Sequence, residues 1–179
     1  MSNLEECIKT YEVAKPYIKS FRNAIDIGCR DGDFTQPLNK DFQNIYCFDY
    51  RSRMGVKGPK IHYYQYALGD IEEDVKAFSG VIADKREGVA HQMVTQKTLD
   101  SFNFEDVDFI KIDVEGHEFK VLKGGIETIK KYKPTIIIEE NTSPEFYNKG
   151  KMFDATNFLQ DLGYKVKTNR GHDYVLSYD

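Results

Sequence analysis

Residues 109–118 read FIKIDVEGHE, and this stretch decides the fold. It describes a buried strand that ends in acidic residues, turns at Gly116 and leads into a helix. Ligands of open α/β sheets bind at the carboxyl ends of the strands. Three carboxylates and an imidazole at such an edge are costly to hold together unless they bind or catalyse something. The sequence therefore places a functional site after this strand.

The alternation of segments around this strand predicts an α/β protein. Helical spacing of apolar residues covers 4–19, with an interruption at Pro16, and a glycine pair interrupts the predicted helix 119–132. Short apolar runs bounded by turn residues predict the strands. The other predicted elements are strands at 24–27, 44–49, 60–66, 108–113 and 135–138, helices at 34–40 and 152–162, an extra strand or hairpin at 75–82, a loop at 86–94, and a hairpin of 164–167 with 173–177. This order predicts a doubly wound sheet with an antiparallel edge.

The bulk composition fits a soluble globular chain of 179 residues, which we expect to form a single domain, 1–179, with an N-terminal helix in 1–20 and the core in 24–179. The net charge of -4 argues against nucleic acid as a partner. The three cysteines form no CxxC pair, which favours reduced thiols and a cytoplasmic protein. No apolar run is long enough for a membrane span, and no leader peptide is recognisable.

The turn after the first strand predicts a nucleoside site. Gly28 and Gly32 allow the backbone to approach a ligand closely, and Asp26 precedes them on the strand. Asp49 closes the next strand, where a carboxylate can accept both ribose hydroxyls of a nucleoside. A glycine pair alone is equally typical of a tight strand-to-helix turn, so the position of Asp49 carries the weight.

The charge of this turn selects among nucleosides. Asp31 and Asp33 stand where a dinucleotide would place its pyrophosphate, and carboxylates there would repel it. They suit a ligand with a cationic end, such as S-adenosylmethionine. A dinucleotide-dependent oxidoreductase remains the less favoured alternative, because the third glycine of its motif is also missing.

Several motifs together resemble the FkbM family of S-adenosylmethionine-dependent methyltransferases. They are TLD at 98–100, VDFIKIDVEGHE at 107–118, VLKG at 121–124, KPTIIIE at 133–139 and LGY at 162–164, and the resemblance runs from about 24 to 164. It implies a Rossmann-like, doubly wound, seven-stranded methyltransferase sheet with the antiparallel C-terminal hairpin. It also implies methyl transfer to oxygen, often to a sugar hydroxyl. In this chain Cys29 and Arg30 stand where the family usually has Ala-Asn, which leaves a catalytically silent donor-binding module as an alternative.

Site residues follow from the strand ends and from the resemblance. Predicted catalytic residues are Asp113, Glu115 and His117, and each is a candidate for the base that takes the proton of the acceptor hydroxyl. The residues predicted to bind the donor are Asp26, Gly28, Arg30, Asp31, Gly32, Asp49, Tyr50, Ala67, Leu68 and Asp113. Glu115, Glu139 and Glu140 are predicted to contact the acceptor, although Glu139 and Glu140 point to opposite faces of their strand.

Other charged residues have two interpretations each. Asp70 either meets the adenine amine or belongs to a turn, and Glu118 either acts in the site or stabilises a helix N-terminus. The basic loop of Arg51, Arg53, Lys57 and Lys60 either holds an anionic acceptor or is a solvated surface. An oxygen-rich metal site of the strand-end carboxylates is the less favoured alternative to no metal. We expect a small-molecule or glycan hydroxyl as acceptor; the sequence does not fix the oligomeric state.

Overall fold

A computed structural model of the chain describes residues 3–51, 55–78, 81–82, 92–140 and 153–178. The helices are α1 (Asn3–Ala14), α2 (Thr35–Asp41), α3 (Glu118–Gly124), α4 (Ile126–Tyr132) and α5 (Asp154–Asp161), with short 3-10 turns at Lys15–Tyr17 and Asp100–Phe102. The strands are β1 (Asn23–Ile27), β2 (Asn44–Phe48), β3 (Ile61–Tyr64), β4 (Ala67–Leu68), β5 (Glu73–Phe78), β6 (Val81–Ile82), β7 (Gln92–Lys97), β8 (Val107–Ile112), β9 (Thr135–Glu139), β10 (Tyr164–Arg170) and β11 (Asp173–Tyr178).

The main sheet of the described chain has seven strands in the order β10-β11-β9-β8-β1-β2-β3. The five strands from β9 to β3 run parallel, whereas β11 pairs antiparallel with both β9 and β10. The doubly wound sheet with an antiparallel C-terminal hairpin, predicted from the sequence, is therefore confirmed.

Helices cover both faces of this sheet, and the two-residue period of β8 feeds both layers. Phe109 packs on one face with residues of α1 and α2, including Tyr11 and Leu38. Ile110 and Ile112 pack on the other face with residues of α3, α4 and α5. Each face is thus sealed by apolar side chains at the level of the sheet centre.

A second, four-stranded sheet in the order β4-β7-β5-β6 was only partly predicted. The predicted strand 60–66 ends at Tyr64, and Ala67–Leu68 pairs with β7 instead. The loop predicted at 86–94 is wrong for Gln92, Met93 and Val94, which begin β7, while 86–91 lie outside the described residues. The strand or hairpin predicted at 75–82 corresponds to β5 and β6, which pair antiparallel. β7 exposes three of its six residues and buries two, so it lacks the apolar run that marks a strand.

The helices differ from prediction mainly at glycine and proline. The predicted helix 119–132 is divided into α3 and α4, which meet at Gly125. α1 ends at Ala14 and continues as a 3-10 turn around Pro16, as expected of a residue that cannot donate to a helix. No helix in the described part of the chain is long and apolar enough to cross a membrane.

Candidate active site

A cavity of about 500 Å³ lies at the carboxyl ends of β1, β8 and β9, under the N-terminal half of α1. Its volume falls within the range of pockets that hold small-molecule ligands. The cavity is lined by Asn3, Glu6, Cys7 and Thr10 of α1, by Asp26, Gly28, Cys29, Arg30, Asp31, Asp33 and Phe34 around the first loop, and by Lys111, Asp113, Glu115, Glu139 and Asp173 at the other strand ends. Most of its charged groups are carboxylates.

The loop after β1 lies against the end of β8. Gly28 has φ +83°, and a Cβ at this position would come 1.7 Å from the carbonyl oxygen of Asp113. Only glycine allows this approach, so the loop and the Asp113 backbone form one continuous wall. Glu115 follows with φ 55°, a conformation that non-glycine residues rarely adopt and that is frequent at functional sites.

Lys111 forms the cationic floor of the cavity. Its Nζ lies 3.5 Å from Oδ2 of Asp113 and 3.3 Å from Oδ1 of Asp173, and its side chain is only 5% exposed. Burial works to lower the pKa of Lys111, but the charges of Asp113 and Asp173 outweigh it and raise that pKa. The ammonium group therefore stays charged and draws carboxylates of β8 and β11 together.

Asp113 and Glu139 directly follow Ile112 and Ile138, which are register partners on the adjacent parallel strands β8 and β9, so their carboxyl groups lie side by side at the cavity. Burial, followed by the charge of Asp113, raises the pKa of Glu139 to about 8. Burial also works to raise the pKa of Asp113, but the charge of Lys111 and the hydrogen bond from Glu139 leave it below its usual value. At neutral pH a protonated Glu139 therefore donates a hydrogen bond to an ionised Asp113.

Two further carboxyl groups line the cavity with raised pKa values. Burial raises the pKa of Asp26 to about 6, although the Thr35 hydroxyl donates to its Oδ2 at 2.6 Å. Burial and then the charge of Asp113 raise the pKa of Glu115. Clusters of perturbed carboxyl groups in a cleft are typical of functional sites.

His117, predicted as a catalytic residue, does not line this cavity. The ring is buried, and its Nε2 lies 3.0 Å from Oε1 of Gln96 on β7. It thus ties the loop after β8 to the small sheet. The neighbouring Glu118 accepts the backbone N–H groups of Val114 and Gly116, both at 3.1 Å. Of its two interpretations, the structure therefore favours a stabilising role at the start of α3.

Glu140, predicted to contact the acceptor, is also placed elsewhere. It is buried and accepts the backbone N–H groups of Ala155 and Thr156 at 3.1 and 3.2 Å, together with the Thr156 hydroxyl. These are the second and third residues of α5, so Glu140 caps the first turn of that helix. Its neighbour Glu139 points to the other face and reaches the cavity, as the strand period requires.

The residues predicted to bind the donor fall into two groups. Asp26, Gly28, Arg30, Asp31 and Asp113 line the cavity, whereas Gly32, Asp49, Tyr50, Ala67 and Leu68 do not. Asp49 is held by Arg51, whose Nε and Nη2 donate to its two oxygens at 2.9 and 2.8 Å, and it also accepts the N–H of Arg30. Ribose binding by Asp49 therefore requires Arg51 to move.

The remaining charged residues carry other contacts. Lys123 donates to Asp70 at 3.1 Å, so Asp70 is engaged with α3, outside the cavity. In the basic loop, Arg51 donates to Asp49 and Lys60 donates to the carbonyl of Phe42. Both side chains are therefore engaged within the protein and do not form a patch for an anionic acceptor. Arg53 lies outside the described residues. No group of three or more potential metal ligands occurs among the described residues.

Lys111 and Asp173 were missed by the sequence analysis. Lys111 stands two positions before Asp113, a spacing that places both side chains on one face of a strand, so a signal existed. Asp173 reaches the site because β11 inserts beside β9, which only the topology reveals. The wall formed by α1, with Thr10 donating to Oδ2 of Asp173 at 3.3 Å, was likewise unpredicted.

Known structures share this architecture. The FkbM methyltransferase from Methylobacillus flagellatus has a TM-score of 0.61 at 14% identity, and the match covers 99% of this chain but only 56% of that protein. A precorrin 8w decarboxylase from Methanobacterium thermoautotrophicum has a TM-score of 0.58 at 16% identity, and the match covers 99% of this chain and 90% of that protein. Magnesium protoporphyrin IX methyltransferase from Synechocystis, with bound S-adenosylmethionine, has a TM-score of 0.51 at 14% identity, and the match covers 98% of this chain and 78% of that protein. At these identities the likeness concerns the fold.

Family membership rests on the sequence itself. No curated protein sequence gives a significant match. Residues 26–166, well over half of the chain, match the family described as the methyltransferase FkbM domain, and this range contains Asp26, Lys111, Asp113, Glu115 and Glu139 of the cavity. The chain belongs to the FkbM family of S-adenosylmethionine-dependent methyltransferases.

Proposed function

We propose that this chain transfers a methyl group from S-adenosylmethionine to a hydroxyl group of a small molecule of the sugar or glycan class. The observation that carries the proposal is the carboxylate-rich cavity between the Gly28 loop and Asp113, at the edge of the sheet where such folds bind ligands. Membership in the FkbM family supports the reaction class. The sugar acceptor rests on the resemblance to this family.

The cavity fits the charge of the donor. S-adenosylmethionine supplies an electrophilic methyl group on a positively charged sulfur, together with an ammonium group. Asp31 and Asp113 offer carboxylates to these cations, and the cavity is lined by eight carboxyl groups but only two cationic side chains, Arg30 and Lys111.

Several residues would hold the donor. Gly28 provides close backbone approach, and Asp26, Arg30, Asp31 and Asp113 surround it in the cavity. We retain Asp49 and Tyr50, with Ala67 and Leu68 on β4, as the proposed nucleoside side of the site, on the condition that Arg51 releases Asp49. Gly32 donates its N–H to the carbonyl of Cys29 and shapes the same loop.

The proton of the acceptor hydroxyl needs a base, and Asp113 and Glu115 are the candidates that line the cavity. The hydroxyl becomes strongly acidic only as the new C–O bond forms, so a carboxylate with a low pKa can still accept its proton. Orientation of the acceptor supplies the rest of the rate enhancement. Glu139 stands beside Asp113 and would contact the acceptor or the base.

The proposal is tested by incubating the purified chain with S-adenosylmethionine and a panel of sugars, with matched amines and carboxylates as controls, while S-adenosylhomocysteine formation is measured. We expect turnover with at least one hydroxyl acceptor. Turnover with amines alone would contradict the acceptor class. Donor binding without turnover on any acceptor would instead support a catalytically silent donor-binding module.

The cell compartment is also part of the proposal. Cys7, Cys29 and Cys47 are all free thiols, and Cys29 and Cys47 are buried. Reduced thiols are typical of the cytoplasm, where we propose that the protein acts.

A further inference from the structure

The contact between Asp113 and Glu139 has a chemical requirement of its own. Two carboxyl groups can share a hydrogen bond only if one of them carries a proton. The pair lies at the ends of adjacent parallel strands, β8 and β9, and both side chains line the cavity. A proton is therefore held at the place where a cationic donor is proposed to bind.

The surroundings of the pair are known for the described part of the chain. The titratable and charged groups that line the cavity with the pair are Cys7 on α1, Asp26 on β1, Arg30, Asp31, Asp33 and Glu115 in the adjoining loops, Lys111 on β8 and Asp173 on β11. Glu6 of α1 also reaches the cavity, but it is ion-paired with Arg170.

These groups leave the pair short of positive charge. Lys111 is the buried cation among them, and it already contacts both Asp113 and Asp173. Lys111 and Arg30 together do not balance the eight carboxyl groups that line the cavity, so before the donor binds Glu139 keeps its proton. Added positive charge in the cavity would reverse that balance.

We infer that Asp113 and Glu139 form a proton-sharing pair in which Glu139 gives up its proton when the cationic donor binds, and that the pair takes a proton back from the acceptor hydroxyl during methyl transfer. This inference rests on the proposed function. The pair accepts the hydroxyl proton while the C–O bond forms and the C–S bond breaks, with the electron pair of that bond left on sulfur. The neutral product then leaves a pair that again holds one proton.

The inference predicts a difference between the two adenosyl ligands. S-adenosylmethionine carries a charged sulfur and S-adenosylhomocysteine does not, so only the first should expel the proton of Glu139. With the pKa of Glu139 at about 8, the pair is mostly protonated at pH 7 before binding. Affinity for S-adenosylmethionine should therefore rise between pH 6 and 8, by at most about tenfold per pH unit, because one proton is released.

The test is calorimetric titration of the full chain at pH 7 in phosphate and in Tris buffer, whose different ionisation enthalpies reveal the protons released. We expect close to one proton released per S-adenosylmethionine and far fewer per S-adenosylhomocysteine. Glu139→Gln should bind S-adenosylmethionine but lose most of the release. If the amino group of the ligand also releases protons on binding, it does so in Glu139→Gln as well. The difference in proton release between the parent protein and this variant therefore reports Glu139.

Glu118→Gln is the matched control. Burial raises the pKa of Glu118 to about 7, so it could also release a proton, but it lies outside the cavity. Release that persists in Glu118→Gln supports the inference, and release that disappears there overturns it. Equal release with both ligands overturns it as well, and this comparison needs no variant. Failure of both ligands to bind would overturn the proposed function itself.

Discussion

Two sets of acidic side chains in this molecule behave differently. The cavity set consists of Asp113, Glu115 and Glu139, which line the cavity and lie near other carboxyl groups. The capping set consists of Asp100, Glu118 and Glu140, each of which accepts at least two backbone N–H groups. The sets even meet in sequence, because Glu139 and Glu140 are neighbours.

The difference teaches that the supply of backbone donors, rather than residue type, separates structural from functional carboxylates. A capping carboxylate stabilises the fold by satisfying N–H groups at a helix or loop terminus. A cavity carboxyl group with a raised pKa, such as Glu115 or Glu139, repels its neighbours and costs stability, whereas Asp113 compensates the buried Lys111. Substitutions of Glu115 or Glu139 and substitutions in the capping set should therefore change stability in opposite directions.

Asp113→Asn should give the largest effect on function. It removes the ionised partner of Lys111 in the cavity, and we expect methyl transfer to fall by about 100-fold or more, the range of a lost general base. The melting temperature should fall as well, because the buried ammonium of Lys111 loses one of its two ion-pair partners, so turnover is compared at a temperature where the variant is folded. Turnover is measured on the acceptor found by screening, with Asp70→Asn as the matched substitution outside the cavity. Full activity in Asp113→Asn would place the base elsewhere.

Glu140→Ala should give the largest effect on stability. It leaves two N–H groups of α5 and the Thr156 hydroxyl without their acceptor in a buried place. We expect the free energy of unfolding to fall by about 3 kcal/mol, and the melting temperature to fall by roughly 6–12 °C. Thermal melts and urea titrations measure this loss. Weaker ligand binding in the folded variant, without lower stability, would move Glu140 into the cavity set.

Glu139→Gln should change how stability depends on pH. The pKa of Glu139 is raised in the folded chain to about 8, so the folded state holds a proton that the unfolded state loses near pH 4.5. The protonated Glu139 contributes its full share to the free energy of unfolding at low pH, and this share is lost as pH rises from about 4.5 to 8. The loss is at most about 1.4 kcal/mol per pH unit.

Urea titrations of Glu139→Gln between pH 5 and 8 measure this slope. The free energy of unfolding of the variant should depend less on pH than that of the parent protein, and at pH 8 the variant should be at least as stable. A residual slope of the same sign is expected from Glu118, whose pKa burial raises to about 7. An unchanged slope would mean that Glu139 is already ionised in the empty cavity.

Asp70→Asn should give the smallest effect. Its ion pair with Lys123 is partly exposed, and such pairs contribute at most about 1 kcal/mol. Stability and S-adenosylmethionine affinity should both stay close to those of the parent protein. A tenfold loss of affinity, measured by calorimetry, would restore the alternative in which Asp70 meets the adenine amine.

The sequence predicted the elements with strong apolar patterns. β8 and β9 are buried throughout almost their whole length, and their period of two placed Asp113 and Glu139 at the edge of the sheet correctly. Of the small sheet, β5 and β6 were predicted at 75–82, whereas β4 and β7 were missed, because an exposed strand such as β7 shows no apolar run. The local apolar pattern of the sequence was therefore sufficient to predict the buried strands.

The assignment of side chains to the site depended on contacts between distant segments. His117 faces Gln96 and Glu140 faces α5, and neither partner is encoded near these residues in sequence. Arg51 engages Asp49 through a turn whose shape the sequence did not indicate. The strand period could show that Glu139 and Glu140 diverge, but only the packing of α5 determines which of them faces the cavity.

The most direct test of the account is a crystal structure of the chain with S-adenosylhomocysteine. We expect the ligand in the cavity of about 500 Å³, with the Gly28 loop on one side and the sulfur of the ligand towards Asp113 and Glu139. His117 and Glu140 should keep their contacts with Gln96 and α5. A ligand bound away from this cavity, or one contacted by Glu140 and His117 rather than by Asp113 and Glu139, would contradict the division into two sets.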